Sequence, residues 1–104
     1  VGKRKRLGAD LTVYGETVDV KVSSQETKPE FYYVNFERWQ KGKADILVFM
    51  RFSSDLKQAW LSGWLPSFLL ESFPVKSLPH ALAYKVDSSK LYPFNQLLKK
   101  WRER

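Results

Sequence analysis

Two carboxylates and a lysine near the start of the chain, Asp10, Asp19 and Lys21, are of types that could hold a metal ion and act beside it. From Thr17 to Ser23 the residues alternate strictly. Val18, Val20 and Val22 therefore point to one face of a strand, and Asp19, Lys21 and Ser23 to the other. Asp10 stands nine residues before Asp19, ahead of the apolar Leu11 and Val13. Between the two runs, Tyr14-Gly15-Glu16-Thr17 carries the glycine expected of a hairpin turn. A hairpin here folds Asp10 back toward Asp19. Two carboxylates brought together repel, and a divalent cation between them removes that cost; Mg²⁺ and Mn²⁺ both prefer hard oxygen ligands. The spacing thus predicts a metal site with a lysine beside it. The plainer reading makes Asp19 and Lys21 polar residues on the solvent face of a half-buried hairpin, with room for a cross-strand ion pair.

Asp10 followed by Asp19-Val20-Lys21 on the next strand resembles the PD-(D/E)XK nuclease superfamily, whose signature is an Asp followed at variable spacing by Asp/Glu-x-Lys. The resemblance covers about the first half of the chain and departs from the pattern at Ala9, which occupies the place of the signature's Pro. The superfamily's opening helix, which often carries a further acidic ligand, has no counterpart in the sequence. Either the chain begins within the domain or the site works with two carboxylates. The resemblance implies a restriction-endonuclease-like core. In it Asp10, Asp19 and the Val20 carbonyl would bind Mg²⁺ or Mn²⁺, and Lys21 would act in the hydrolysis of nucleic-acid phosphodiesters, with DNA favoured as substrate. Dimerisation is common among enzymes resembling this family, which adds a homodimer to the partners it implies.

The residue types suit that chemistry. Carboxylates hold a cation that polarises a phosphate and lowers the pKa of a bound water. A nearby ammonium orients the water or neutralises charge in the transition state. Ser23 and Gln25 continue the polar side of the strand toward a substrate. Other chemistries lack their parts. The chain has no Cys and one His, His80, so a zinc site or a Ser/His triad is not expected and His80 reads as structural. None of the five glycines forms a phosphate-binding loop.

Charge points the same way. Eighteen Lys and Arg against eleven Asp and Glu give a formal net charge of +7, which in a single domain of 104 residues favours a polyanionic partner. Lys3, Arg4, Lys5 and Arg6 form a basic leader, residues 1–6, that could grip phosphates near Asp10, and Lys99, Lys100, Arg102 and Arg104 add cations at the other end. The alternative is a non-catalytic nucleic-acid-binding module that uses the same basic surface. A third reading makes the aromatic surface a contact between subunits. No apolar run reaches the roughly 20 residues of a membrane span. An anionic membrane surface is the runner-up partner for the charge, but it calls for a basic amphipathic helix without a strand-borne acid cluster, and this chain has the cluster, so no membrane partner is expected. The composition is compatible with an intracellular setting.

The elements that must position the site can be read in outline. Phe31 to Phe36 is a strand with Tyr32 and Tyr33 on opposite faces, followed by a helical turn closing at Gly42. Asp45 to Phe52 is apolar without alternation, which predicts a central strand covered on both faces, with Asp45 at its entrance. Leu56, Trp60 and Trp64 also fall at helical spacing, but Gly63 and Pro66 favour reading Leu56 to Leu65 as a strand bearing Trp60 and Trp64, both assigned to the core. Pro66 opens a short helix to Glu71, Pro74 and Pro79 predict an irregular stretch, and His80 to Val86 is a further strand. From Pro93 a closing helix places Phe94, Leu97, Leu98 and Trp101 on one stripe. Glu16 is expected to face water. The fold class is α+β: a mixed, mostly antiparallel sheet with a short helix and a C-terminal helix.

Overall fold

The computed structural model describes residues 11–23 and 29–103. It is α+β, with two sheets rather than one. Strands β1 (Leu11–Val13), β2 (Glu16–Ser23), β4 (Ile46–Phe52) and β5 (Ala59–Pro66) form a mixed sheet in that order, while β3 (Phe31–Asn35), β7 (Leu82–Asp87) and β6 (Val75–Ser77) form an antiparallel one. Helices α1 (Phe36–Lys41), α2 (Ser67–Leu70) and α3 (Phe94–Arg102) complete the chain, with a 3₁₀ turn at Ser88–Lys90.

The hairpin around the predicted turn is present and tight. Val13 pairs with Glu16, leaving Tyr14 and Gly15 as a two-residue loop with φ of 49° and 82°. Left-handed backbone at both positions is what matches a hairpin turn to the twist of its strands. Glu16 and Thr17 therefore belong to β2 rather than to the turn.

β2 pairs with β1 antiparallel and with β4 parallel. Parallel neighbours need a crossover, here supplied by β3 and α1. Asp45 fixes its outcome. Its Oδ2 accepts from the Thr17 backbone N–H at 2.9 Å and the Thr17 hydroxyl at 3.1 Å, and its carbonyl accepts from Ser67 N at 2.9 Å. One residue at the entrance of β4 thus holds the start of β2 and the end of β5, which sets the register of the sheet.

The apolar run of β4 is covered on both faces, as its lack of alternation predicts. Leu47 and Phe49 enter a core with Tyr32, Val34, Trp39, Leu70, Tyr84 and Val86, between the two sheets. Ile46 and Val48 face the other way, onto Val18, Trp64 and Leu97. Tyr32 is buried and Tyr33 exposed. In α3, Phe94, Leu97 and Trp101 pack on the mixed sheet, but Leu98 remains 44% exposed, so the apolar stripe is narrower than its sequence spacing implies.

Three expectations need correction. β6 lies within the stretch read as irregular: Pro74 and Pro79 flank it rather than interrupt it, and a short exposed edge strand tolerates such neighbours. Glu16 does not simply face water. Its carboxylate accepts from Lys100 Nζ at 3.1 Å and Trp101 Nε1 at 3.2 Å, tying the last turns of α3 to the hairpin. Trp60 is only half-buried, whereas Trp64 is a core residue that donates to the Pro93 carbonyl at 3.1 Å.

Trp39 shows how the core manages a buried polar atom. Its Nε1 donates to Glu71 Oε2 at 3.0 Å, and Lys43 Nζ meets the same oxygen at 2.7 Å. The Lys43 hydrogen bond, then that from Trp39, hold the Glu71 carboxyl below its ordinary value. A depressed carboxylate stabilises the fold above the unfolded pKa of about 4.3, and that contribution disappears as pH falls through the lowered folded value. Glu71→Ala should cost about 1 kcal/mol at pH 7, because the buried indole N–H loses its acceptor. Glu71→Gln keeps an acceptor and should cost less, while flattening the loss of stability in urea melts as pH falls through and below the unfolded value.

Candidate metal and nucleic-acid site

Asp19 and Lys21 are brought together. Both point to the same face of β2, and Lys21 Nζ lies 3.0 Å from Asp19 Oδ2. That face is the inner one: Asp19 pairs with Leu47 and Lys21 with Phe49, the β4 residues that enter the core between the sheets. Asp19 is consequently buried, at 6% exposure, opposite Leu47 in the sheet. The ion-pair reading is therefore corrected only in its place: the pair is present, but within β2 and on the inner face rather than the solvent face.

Burying a carboxylate is costly unless an opposite charge and hydrogen bonds compensate. Lys21 supplies that charge while its side chain stays 27% exposed. The pair thus runs from the interior toward the surface. A carboxylate held inside, with an ammonium at the boundary, is a polar arrangement that packing alone does not require.

The valine face behaves differently from a uniform core face. Val18 is buried, Val20 half-buried, and Val22 55% exposed. Cover on both sides of β2 diminishes toward Ser23, which is itself half-exposed at the end of the strand.

Asp10 lies outside the described residues, as do Lys3, Arg4, Lys5, Arg6 and Gln25. Leu11 is opposite Val18, so the first described residue of β1 enters the sheet next to Asp19. Among the described residues, no three His, Cys, Asp or Glu side chains form a group able to hold an ion. The donor chemistry of Asp19 nevertheless fits Mg²⁺ or Mn²⁺: it is a carboxylate in a partly shielded place, a hard oxygen ligand that such a cation would neutralise. The Val20 side chain belongs to the opposite face, so only its backbone could join.

The basic end of α3 is on the wrong side to share a phosphate with Lys21. α3 packs against Val18, Val48 and Trp64, the face opposite Asp19. Lys99 and Arg102 are exposed there, and Lys100 is engaged by Glu16. His80 is exposed in the connection between β6 and β7, away from any described metal-binding group.

Sequence reading missed two residues on the inner face. Ser23 pairs with Arg51, and Arg51 with Trp60, so these three form a row across β2, β4 and β5 one step beyond Lys21 and Phe49. The Arg51 guanidinium lies 4.0 Å from the centroid of the Trp60 ring, a cation–π contact. Alternation could not have placed Trp60 there, because the register shifts between Phe49 and Met50. The isolated Gly63 within the strand was the available signal of that bulge.

No helix among the described residues is long and apolar enough to cross a membrane. Comparisons with protein-family models, curated proteins and solved structures gave no match, so the function must be read from these residues.

Proposed function

We propose that the chain is a metal-dependent nuclease of the PD-(D/E)XK type, hydrolysing nucleic-acid phosphodiester bonds, with DNA favoured. The observation that supports this reading most is the buried Asp19 carboxylate, with the Lys21 ammonium 3.0 Å away on the same strand face. Asp10 and Asp19, with the Val20 carbonyl, would hold Mg²⁺ or Mn²⁺. When bound, the cation polarises the phosphate and makes a water nucleophilic near neutral pH.

The chain's own residues do the rest. Asp19, fixed by its strand and by packing around Leu47, keeps its position without reorganising when charge changes nearby. Lys21 has three N–H donors and no acceptor. One donor meets Asp19; the others can reach a phosphate oxygen or the attacking water at the exposed end of the pair. Ser23, further along the same face, can donate to the next phosphate. Lys3, Arg4, Lys5 and Arg6 add non-specific grip on the backbone.

The metal part has a direct test. Mn²⁺ should raise the melting temperature of the wild type by mass action, with about 2.7 kcal/mol gained at a hundredfold excess over Kd. Asp10→Asn and Asp19→Asn should each abolish the response. Equal Mn²⁺ shifts in all three proteins would refute the site. Binding of DNA without metal-dependent cleavage would instead support the non-catalytic binding module.

The basic leader makes a separate prediction. Affinity for a non-specific oligonucleotide should fall with salt, and neutralising Lys3, Arg4, Lys5 and Arg6 together should reduce the log–log slope by up to about 3.6 on duplex DNA, at roughly 0.9 per lost phosphate contact. An unchanged slope, measured by titration at several salt concentrations, would make the leader passive.

A further inference from the structure

The Ser23, Arg51 and Trp60 row lies outside both core clusters, and a register shift is what brings Trp60 into it. With regular pairing after Phe49 and Gly63, Arg51 would oppose Leu61, and Trp60 would oppose Phe52 on the other face of the sheet. The bulge prevents this. Met50 pairs with Leu61 and Arg51 with Trp60, so Ser62 is the extra residue. It turns Trp60 onto the face that carries Asp19 and Lys21. Bulges of this kind re-aim side chains and are common beside functional sites.

The bulge is held from two directions. The Ser62 hydroxyl is 2.6 Å from the Tyr32 hydroxyl, which also donates to the Met50 carbonyl at 3.3 Å, so the extra residue is tied to the second sheet. Next to it, Gly63 has φ 149° and sits so close to the 91–92 segment that a Cβ would meet Leu91 Cβ at 2.6 Å. Trp64 and Tyr92 exchange backbone hydrogen bonds of 3.0 Å beside this contact. The aim of Trp60 is thus built in rather than incidental.

We infer that Trp60 and Arg51 form a subsite for an unpaired nucleobase next to the Asp19 and Lys21 pair. The half-exposed indole offers an aromatic plane, and Arg51, held against it at 4.0 Å, adds positive charge at the same place. Base stacking on an aromatic ring is tolerant of sequence, since every base has a π-face, and Arg strengthens it. Two residues along a strand and two strands across a sheet put the Trp60 backbone about 12 Å from that of Lys21. A single strand whose phosphate lies at Lys21 would bring a base a nucleotide or two away onto Trp60. A base inside a duplex has both faces covered and cannot stack in this way, so the ligand class is single-stranded nucleic acid or a strand end.

This inference takes its ligand class from the nuclease reading, but its test does not need cleavage. Fluorescence anisotropy of a labelled oligothymidylate, in Ca²⁺ or in EDTA, is compared with that of an abasic oligonucleotide of the same length and charge. The wild type should bind the base-bearing strand about tenfold more tightly than the abasic one. Trp60→Ala should erase that preference, Trp60→Phe should keep much of it, and the salt dependence should be the same in all three because no phosphate contact is lost. A wild type that does not distinguish the two strands overturns the inference, as does full preference in Trp60→Ala. Absence of cleavage in Mg²⁺ would defeat the nuclease reading and leave a base preference that depends on Trp60 standing. Loss of that preference would leave a measured cleavage activity standing.

Discussion

Replacing Lys21 by Met should reduce metal-dependent cleavage by roughly two orders of magnitude or more, the scale of losing one charge-stabilising group. Met preserves the packing of the lysine stem and removes only the ammonium. The effect on stability has a definite sign. Asp19 is buried, so Lys21→Met leaves its carboxylate inside the fold without the cation 3.0 Å away. Breaking a fully buried pair costs 3–5 kcal/mol; the partial exposure of Lys21 reduces this to about 1–2 kcal/mol. A divalent cation at Asp19 would supply the missing charge, so Lys21→Met should gain more from Mn²⁺ than the wild type does. Asp19→Asn behaves oppositely: it removes the buried charge, tolerates the absence of metal, and loses both cleavage and the Mn²⁺ response. A double variant, Asp19→Asn with Lys21→Met, should recover much of the stability lost by Lys21→Met alone, because the two side chains interact directly. Thermal melts of the four proteins, with and without Mn²⁺, measure the stability and Mn²⁺ outcomes, and a cleavage assay measures the rates. Additive stability changes would show that the pair is not coupled.

Gly63→Ala should be the most damaging single methyl addition in the mixed sheet, at about 3 kcal/mol. Two causes act together. The backbone φ of 149° is one that L residues rarely adopt, and the new Cβ would meet Leu91 Cβ at 2.6 Å and the Tyr92 carbonyl oxygen at 2.7 Å. Neither of those atoms is the free end of a flexible side chain, so relief requires the 91–92 segment to move off β5. That would break the paired hydrogen bonds between Trp64 and Tyr92. It would also loosen the bulge and, with it, the direction of Trp60. Gly15 is the internal control. Its φ is 82°, but nothing lies within 4 Å of an added Cβ. Gly15→Ala should therefore cost about 1 kcal/mol, from the left-handed backbone alone. Equal costs for the two variants in urea denaturation would mean that the contact with Leu91 and Tyr92 carries no energy.

Much of the scaffold was legible because its signals are local and periodic. The alternation of β2, the unbroken apolar run of β4, the opposed Tyr32 and Tyr33, and the Phe94, Leu97 and Trp101 positions of α3 each state a period and a length, and the structure follows them, with Leu98 the exception. What could not be read is non-local. Alternation says that Asp19 and Val18 face opposite ways, but not that both faces are covered there; that depends on β3 and β7 forming a separate sheet over β4. Nor could Glu16 be recognised as the anchor of α3, since Lys100 and Trp101 lie more than eighty residues away in the chain. Trp60 was lost to a single extra residue, which reverses every face assignment beyond it. At the site itself, residue types and spacing identified Asp19 and Lys21 as a pair on one strand face, while the burial that gives the pair its chemical interest came only with the fold.

The most direct measurement of the central claim is the cleavage rate of end-labelled single-stranded DNA and of plasmid by the wild-type chain, with Mg²⁺ or Mn²⁺ and with EDTA, beside Asp19→Asn and Lys21→Met. The account predicts cleavage by the wild type that requires the cation, no cleavage by Asp19→Asn, and a rate for Lys21→Met lower by about a hundredfold or more, with DNA binding in Ca²⁺ retained by all three. Cleavage that persists in EDTA, or a Lys21→Met variant that cuts as fast as the wild type, would contradict it.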